Sequence, residues 1–254
     1  MSTADEVPVP GAVPLWQVPG WRERFGVVAG VTGRGSDRDQ PFDLGLRTAQ
    51  PVGAVLERWR RFRSALPECP RTVIAHQVHG DRVLWHTALA EGWTIVDGAD
   101  GHATTTSGAL LLVTVADCVP IYLVAPKQRA IALLHAGWRG TGCGILARGV
   151  ELLKNHASVH SSDIVMHAGV AISGARYEVG PEVIAAVDKS LLPSGCSHLD
   201  LRQALLAQAK RMGIGEATAS SHCTASRRDL FFSHRGSGGT DGRMVAYLGL
   251  PASS

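Results

Sequence analysis

The chain has 254 residues, of which 45% are hydrophobic and 19% are charged, and its formal net charge is +3. This apolar content is sufficient for a large core and excludes a globally disordered chain. The basic residues are scattered apart from one arginine run, so the net charge alone indicates no nucleic-acid partner.

Prolines recur near the N-terminus, at Pro8, Pro10, Pro14 and Pro19. Because proline has no backbone N–H, these positions oppose regular strand pairing. We therefore expect a flexible tail over residues 1–20 and a single domain over residues 21–254. The N-terminus lacks the basic start and apolar run of a signal peptide, and no run approaches the roughly 20 apolar residues of a membrane span. A cytoplasmic protein without a membrane partner is expected.

The first regular elements are a strand and a helix. The segment FGVVAGVT, residues 25–32, predicts a strand, and a loop rich in turn residues follows it. Residues 51–65 predict a helix, because Val55, Trp59 and Phe62 recur at helical spacing.

Four arginines lie in this helix, within the segment ERWRRFR, at Arg58, Arg60, Arg61 and Arg63. A charge run of this kind is typical of the solvated face of a helix. The alternative is a patch that binds RNA or an anionic substrate. No spacing typical of RNP, KH or zinc-finger modules supports that alternative, so we expect no nucleic-acid partner.

The middle of the chain predicts a succession of strands. Two β-like runs, Thr72–Ala75 and Arg82–His86, lie on either side of a Gly-Asp pair. Residues 109–126 are the most apolar segment and predict two buried strands with a sharp break between them. Ala130–His135 predicts another buried strand, and residues 144–156 predict a helix.

The last third of the chain continues this mixture. Residues 165–172 predict a strand, and residues 181–192 and 200–213 predict helices. Residues 229–250 predict two short strands around a flexible loop. Because strands and helices are mixed along the chain, the class is α/β or α+β with a largely buried sheet system.

The five cysteines are few, odd in number and far apart, and they form no CxxC pair: Cys69, Cys118, Cys143, Cys196 and Cys223. A disulfide framework is therefore not expected in a chain of this size. Any functional cysteine is better interpreted as a thiolate ligand or a nucleophile.

Three apolar strands end in a metal-competent residue beside glycine or proline. They are VIAHQVHG with His79, TVADCVP with Cys118, and IALLHAGWRG with His135. Imidazole and thiolate are preferred zinc ligands, and three protein ligands leave the fourth position that a catalytic site requires. Asp117 is a candidate general base, or a residue that orients the ligands. His76 lies three residues before His79, so at most one of the two is expected to bind metal.

Other interpretations of these residues remain open. A single histidine or cysteine at a strand end is more often a packed residue than a ligand. In a cysteine hydrolase, Cys118 is the nucleophile and His79 or His135 the base. A structural zinc site needs a fourth protein ligand, with His76 as the candidate. A copper oxidase of the laccase type is disfavoured, because the sequence has no His-x-His pair.

Six segments occur in order from about residue 25 to residue 248: QVHGDRV, GADGHATT, TVADCVPIYL, HAGWRGT, YEVG and CTASRRDLFFSHR. Together they resemble the YfiH family, also called PgeF or multicopper polyphenol oxidase (laccase-domain) proteins. The resemblance implies an α+β fold with mixed sheets, arranged as a four-layer α/β/β/α sandwich. It implies a metal site formed by His79, Cys118 and His135, with zinc as the metal and copper as the alternative.

The activities that the resemblance implies are phosphorolysis of adenosine, inosine and 5′-methylthioadenosine, and deamination of adenosine. The expected partners are therefore a purine nucleoside and phosphate. A second implied role is peptidoglycan editing, in which misplaced L-Ser is removed from a muropeptide precursor. A cysteine hydrolase mechanism at Cys118 fits that role if an amide-type bond is cleaved.

Phosphate requires cationic or backbone N–H partners, and Arg139 in GWRGTG is the first candidate. Arg34 is the second, although VTGRGSDR matches the family pattern only roughly. The segment GADGHATT is interpreted as a structural loop rather than as a catalytic element. For Cys223 and Arg228, lining the pocket and closing the sheet both remain open.

Overall fold

The computed structural model describes residues 2–37, 39–46, 50–188, 190 and 197–252. Within these residues the strands are β1 (Ser2–Thr3), β2 (Val7–Val9), β3 (Leu15–Gln17), β4 (Val28–Thr32), β5 (Arg71–His76), β6 (Val83–His86), β7 (Gly92–Asp97), β8 (Gly101–Thr104), β9 (Ala109–Val115), β10 (Val119–Ala125), β11 (Ala130–Ala136), β12 (Val165–Ala168), β13 (Glu216–Ala219) and β14 (Met244–Leu250). The α-helices are α1 (Trp21–Phe25), α2 (Val52–Ser64), α3 (Trp138–Cys143), α4 (Ile145–Ala157), α5 (Pro181–Val187) and α6 (Leu201–Arg211). None of these helices combines the length and apolar character that crossing a membrane requires.

The strands form two mixed seven-stranded sheets. Sheet I has the order β1-β13-β12-β10-β11-β8-β6, and sheet II has the order β2-β3-β4-β14-β9-β5-β7. In sheet I, β10 and β11 are antiparallel, and Pro120 lies opposite His135. In sheet II, β5 is parallel to both β7 and β9.

The two sheets pack face to face, as the alternation of side chains in β10 shows. Tyr122 and Val124 belong to a buried cluster that also contains Leu111 of β9, so they fill the space between the sheets. Ile121 and Leu123 point to the other side, where they belong to a cluster with residues of α4 and α6. Both faces of β10 are therefore buried, which explains its continuous apolar sequence.

The outer face of sheet II is covered by α2. Val55, Trp59 and Phe62 of this helix share a buried cluster with Leu110 and Leu112 of β9. With α4 and α6 on the outer face of sheet I, the layers are α/β/β/α. The expected α+β class and four-layer sandwich are confirmed.

Three connections cross from sheet II to sheet I. Residues 77–82 join β5 to β6, residues 98–100 join β7 to β8, and residues 116–118 join β9 to β10. Because β5, β7 and β9 are parallel, the three connections leave sheet II at one end. Strand β11, antiparallel to β8 and β10, finishes at this same end.

The prediction that residues 1–20 form a tail without regular pairing is wrong. Strand β2 pairs with β3, which in turn pairs with β4. Pro8 is tolerated because β2 lies at the edge of sheet II, where one side of the strand has no neighbour to hydrogen-bond. Glu6 fixes the segment further, since its buried carboxylate accepts a hydrogen bond from the backbone N–H of Val170 at 2.9 Å.

Several predicted elements have different bounds. The strand predicted over residues 25–32 begins only at Val28, because residues 21–25 form α1. The strand predicted from residue 165 ends at Ala168. Helix α5 ends at Val187, and the last two positions of its prediction lie outside the described residues, as does Cys196. Of the two strands predicted over residues 229–250, only β14 forms, because residues 229–243 make turns whose polar groups support the candidate site.

The arginine run on α2 is not a uniformly solvated face. Arg58 is buried and donates through Nε to the carbonyl of Asp43 at 2.7 Å. Arg61 and Arg63 donate to the carbonyls of Ala12 and Pro70 at 2.7 and 2.8 Å. The interpretation of the run as a solvated helix face is therefore wrong for Arg58, and hydrogen bonds from Arg58, Arg61 and Arg63 to backbone carbonyls hold α2 against the adjacent loops.

A buried hydrogen bond joins the two sheets. The hydroxyl of Tyr122 in β10 donates to the carbonyl of Gly30 in β4 at 2.8 Å. We predict that Tyr122→Phe lowers the free energy of unfolding by about 1–2 kcal/mol, because the carbonyl loses its buried partner. Urea denaturation measures the change. Tyr247→Phe is the matched control, since it removes a hydroxyl from a buried tyrosine that packs with α2 on the outer face of sheet II; equal losses in both variants would contradict the prediction.

Candidate metal centre

The first crossing loop presents His79 in a constrained backbone conformation. His79 has φ +60°, in the left-handed region that non-glycine residues seldom adopt. The loop is held by the buried carboxylate of Asp100, which accepts hydrogen bonds from the backbone N–H groups of Val78, His79 and Gly80 at 3.2, 2.9 and 2.8 Å. Asp100 belongs to the connection formed by residues 98–100, so this connection holds the one formed by residues 77–82.

His135 is held by the same carboxylate. Its Nδ1 lies 2.9 Å from Oδ1 of Asp100, and its backbone N–H donates to the Asp100 carbonyl at 2.7 Å. This contact occupies Nδ1 and leaves Nε2 available for a metal ion, the arrangement in which a carboxylate orients a histidine ligand. Asp100 therefore positions His135 and the His79 loop, and the interpretation of GADGHATT as a loop holds only for residues 98–100, because residues 101–104 form β8.

Cys118 follows a sharp turn at Asp117, which has φ +90°. The buried carboxylate of Asp117 accepts three hydrogen bonds: from Thr224 Oγ1 at 2.5 Å, from Ser233 Oγ at 2.7 Å and from the backbone N–H of Arg235 at 2.6 Å. These donors fix the backbone conformation that precedes the thiol. The geometry agrees with the orienting role considered for Asp117, since both carboxylate oxygens already have donors.

Glycines at the start of α3 allow the segments to approach one another. A Cβ atom on Gly137 would lie 3.1 Å from the Cys118 sulfur and 3.6 Å from Cδ2 of His79. A Cβ atom on Gly140 would lie 2.7 Å from the carbonyl oxygen of Gly80, closer than such contacts occur. Gly140 is therefore required by the packing of α3 against the His79 loop, whereas a Cβ atom on Gly137 would need the Cys118 sulfur to shift by a few tenths of an ångström.

These elements bring His79, Cys118 and His135 together. Their candidate ligand atoms all lie within 4.8 Å of one another, and the two imidazole rings are nearly perpendicular, with centroids 4.9 Å apart. Ligand atoms around a tetrahedral zinc ion are about 3.5 Å apart, so the set fits such an ion after small side-chain movements. The predicted convergence of the three side chains is thus observed.

No other set of three or more metal-competent side chains converges in the described part of the chain. His76, the candidate fourth ligand, instead places Nδ1 2.9 Å from Oδ1 of Asp97. His79 is exposed, Cys118 is partly exposed and His135 is buried. The candidate site therefore offers three side chains that could bind a metal ion, and one side of it is open to solvent.

The thiol and the buried imidazole are electrostatically coupled. Burial opposes ionisation of Cys118, but the charge and hydrogen bonds of His135 and His79 outweigh it and lower the pKa of the thiol to about 6. Burial would also lower the pKa of His135, but the Cys118 thiolate and the Asp100 carboxylate raise it to about 9. Without metal, the geometry thus favours a thiolate–imidazolium pair near neutral pH, and the thiolate is the form that binds zinc.

The two candidate phosphate-binding residues differ in their surroundings. Arg139 is exposed, and its guanidinium lies 4.3 Å from the centroid of the Trp138 ring. Arg34 is mostly buried, stacks on Phe232 and forms an ion pair with Asp241. Because Asp241 neutralises Arg34, only Arg139 retains an unpaired charge for a ligand among these two.

The C-terminal half supplies residues that the sequence did not single out. Thr224 and Ser233 support the turn before Cys118, and Asp241 accepts a hydrogen bond from the backbone N–H of Ser233 at 3.1 Å. Arg228 lies 4.0 Å from the Asp241 carboxylate, at the rim of this network. For Thr224 and Ser233 the only signal in the sequence was the resemblance of the CTASRRDLFFSHR segment, which does not show what these residues contact, and Asp241 lies outside that segment.

Cys223 does not join the metal-competent set. Its sulfur accepts hydrogen bonds from the backbone N–H and the hydroxyl of Ser173 at 3.3 and 3.2 Å. Two surface clefts of about 420 and 430 Å³ are lined by none of the three candidate ligands: one is bordered by Arg148 and by Asp81, two residues after His79, and the other by Pro10 and Arg61. The chemistry-bearing residues are thus grouped at the sheet-crossing end of the sandwich and not in these clefts.

Comparison with known proteins extends over nearly the whole chain. The sequence pattern of a family described as multi-copper polyphenol oxidoreductase laccase matches residues 27–251. A relative named purine nucleoside phosphorylase YlmD, from Geobacillus stearothermophilus, is 35% identical over 247 residues, which cover 88% of this chain and 90% of that protein.

Solved structures show the same fold. The structure of YlmD from Geobacillus stearothermophilus has a TM-score of 0.84 and 31% identity, and the match covers 98% of this chain and 100% of that chain. The structure of a hypothetical protein YfiH from Bacillus licheniformis has a TM-score of 0.83 and 27% identity, covering 93% of this chain and 96% of that chain.

The role of Asp100 leads to a prediction about metal affinity. Asp100→Asn should weaken zinc binding about 10- to 100-fold, because His135 loses its charged partner and the His79 loop loses a carboxylate acceptor. Competition with a chromophoric chelator measures the dissociation constant. The exposed Asp97→Asn variant is the matched control, and equal zinc affinity in Asp100→Asn and the unmodified protein would contradict the prediction.

The coupling of Cys118 to His135 leads to a prediction about pH. In metal-free protein, alkylation of Cys118 by iodoacetamide should reach half its maximal rate near pH 6, because the lowered pKa keeps the thiolate present until the pH falls to that value. Peptide mapping by mass spectrometry separates Cys118 from the other cysteines. His135→Gln should move the midpoint upward, and a midpoint near the ordinary thiol pKa of about 8.5 in the unmodified protein would refute the coupling.

Proposed function

The chain belongs to the YfiH family of laccase-like multi-copper polyphenol oxidoreductase proteins, and on this premise we propose that it is a metal-dependent enzyme that acts on purine nucleosides. The relatives named purine nucleoside phosphorylase support the class of substrate. The observation that carries the proposal for this chain is the convergence of His79, Cys118 and His135 at the sheet-crossing end.

Zinc is the proposed metal, held by His79, Cys118 and His135. One thiolate and two imidazoles are a typical zinc donor set, and copper is the alternative that the family description suggests. Bound zinc supplies Lewis acidity, which stabilises negative charge that develops on a substrate oxygen or on an attacking water. Laccase chemistry is disfavoured, because it requires further histidine clusters and the described residues contain one convergent set.

The surrounding residues have separate proposed tasks. Asp100 keeps His135 in the tautomer that leaves Nε2 free, and Asp117 fixes the turn that presents Cys118. The buried side of the site excludes water around His135, whereas the exposed His79 side admits the substrate. We retain Asp117 as a candidate for proton transfer only in a state in which one of its three donors has moved away.

For phosphorolysis, the proposed substrates are adenosine, inosine and 5′-methylthioadenosine. A phosphate oxygen bonds to C1′ of the ribose as the bond from C1′ to N9 breaks, and the departing base takes the phosphate proton. Arg139 is the proposed phosphate ligand, because its exposed guanidinium has no acidic partner among the described residues. Deamination of adenosine is proposed as a second reaction at the same site: the oxygen of water bonds to C6, the bond from C6 to the amino nitrogen breaks, and the amino group takes a proton from the water and leaves as ammonia.

One observation favours a second candidate function. The lowered pKa of Cys118 and the raised pKa of His135 are also the electrostatic arrangement of a cysteine nucleophile with its base. This arrangement fits the editing of a peptidoglycan precursor, in which an amide-type bond to misplaced L-Ser is hydrolysed. Activity that survives strong chelation but is lost on alkylation would favour this alternative over the metal enzyme.

A product screen tests the proposed function. Zinc-loaded protein should convert at least one of adenosine, inosine and 5′-methylthioadenosine to free base and a sugar 1-phosphate only when phosphate is present, or convert adenosine to inosine without it. Mass spectrometry identifies the products, with a serine-containing muropeptide precursor screened in parallel.

The matched variant for this screen is Cys118→Ala. It should lose zinc and nucleoside turnover together, because the thiolate is the anionic ligand of the set. Cys143→Ala, which alters an exposed thiol outside that set, should keep both. Full turnover by zinc-free Cys118→Ala would overturn the proposal.

A further inference from the structure

Two arginines near the metal centre have no ion pair with any described residue, and both are stacked on aromatic rings. The guanidinium of Arg139 lies 4.3 Å from the ring centroid of Trp138, and that of Arg235 lies 5.0 Å from the ring centroid of Tyr177. Stacking fixes the plane of a guanidinium without using its N–H donors. Such groups can bind an anion without first losing a protein partner.

Arg235 is attached directly to the turn that carries Cys118. Its backbone N–H donates to Oδ2 of Asp117 at 2.6 Å, and Asp117 immediately precedes the thiol. Its Nη1 donates to the carbonyl of Glu178 at 2.7 Å. The side chain therefore spans from the Cys118 turn to the Tyr177–Glu178 segment. A guanidinium has five N–H donors, so those not directed to Glu178 remain available.

Tyr177 connects the two arginines with the metal centre. Its side chain is partly buried, and burial is the main reason why the pKa of its hydroxyl is raised. The charge of Cys118 raises the pKa further, whereas Arg235 and Arg139 lower it. The contacts give the same placement: Arg235 stacks on the Tyr177 ring, and Arg139 follows Gly137, where a Cβ atom would lie 3.1 Å from the Cys118 sulfur.

We infer that Arg235 and Arg139 form a binding subsite for inorganic phosphate beside the metal centre, with Arg235 as its main ligand. The planar fork of arginine matches the oxygens of phosphate, and charge-assisted hydrogen bonds of this kind are strong. The subsite rests on the proposed phosphorolysis, which consumes phosphate as co-substrate. Arg34, the other arginine considered for phosphate, is unsuitable because it already forms an ion pair with Asp241.

Direct binding of phosphate to zinc-loaded protein tests the subsite without requiring turnover. Calorimetric titration with inorganic phosphate should show that Arg235→Gln binds it roughly 10- to 100-fold more weakly than the unmodified protein, the range expected for lost hydrogen bonds between charged groups. Arg235→Lys should recover part of the affinity, because charge is kept but the fork is lost. Arg22→Gln is the control, since that exposed arginine pairs with Glu68, which precedes β5 at the end of sheet II opposite to the three crossings.

Zinc content and the thermal unfolding midpoint of each variant establish that the fold and the metal site are intact. A parallel titration with adenosine 5′-monophosphate separates free phosphate from a phosphate ester. Phosphate affinity that is unchanged in Arg235→Gln, or an unmodified protein that binds only the ester, would overturn the subsite. Phosphate binding that depends on Arg235 in a protein that cleaves no nucleoside would instead overturn the proposed function and leave the subsite standing.

Where phosphorolysis is observed, kinetics give an independent measurement. Arg235→Gln should raise the KM for phosphate about 10-fold or more and leave the KM for the nucleoside nearly unchanged. Equal increases in both constants would indicate a general disturbance of the site and count against the subsite.

Discussion

The candidate site depends on one topological constraint: three parallel strands of sheet II cross into three parallel strands of sheet I at the same end of the sandwich. The crossings 77–82, 98–100 and 116–118 are short, so the ends of the two sheets lie close together. Each crossing contributes one group, namely His79, Asp100 or Cys118. Because β11 is antiparallel to its neighbours in sheet I, it delivers His135 to the same place. Residues up to 56 positions apart in sequence are thereby brought within coordinating distance.

Two buried carboxylates convert this proximity into defined geometry. Asp100 joins the His79 loop to His135, and Asp117 joins the Cys118 turn to the C-terminal segment. Both His79 and Asp117 have positive φ, a conformation that costs free energy and persists only where the surroundings determine it strongly. The hydrogen bonds to the two carboxylates hold the backbone of His79 and Asp117 in this conformation. Without either carboxylate, the backbone of His79 or Asp117 would be free to relax to a negative φ. The candidate ligands would then move apart more than after removal of an exposed acidic side chain.

The sequence predicted the parts of the molecule that depend on local pattern. Continuous apolar runs indicated β9, β10 and β11, and strand ends beside glycine or proline indicated the three ligand candidates. What it could not predict depends on pairing between distant segments. Strand β2 contains proline and is stabilised by its neighbour in the sheet, and β7 was missed because its alternating pattern is short and follows a turn.

The site shows the same division between local and distant information. The sequence shows which side chains can bind a metal and which of them lie beside glycine or proline. His79, Cys118 and His135 could therefore be predicted as candidate ligands. The partners of Asp117 could not, since Thr224 and Ser233 lie more than 100 residues further along the chain. Arg34 was predicted from the sequence as a phosphate-binding residue. Its charge is in fact balanced by Asp241, which lies 207 residues further along the chain.

The candidate ligands differ in burial, so the site is open to solvent on one side only. His135 and Asp100 are buried and hydrogen-bonded to each other, while His79 is exposed. In the proposed function, a substrate would therefore approach from the side of His79 and Cys118. The C-terminal segment reaches the Cys118 turn through the backbone of Arg235, and it places cationic and aromatic groups beside that approach. The two sheets thus position the candidate metal-binding residues, and the last part of the chain supplies the arginine and tyrosine that we propose to recognise the substrates.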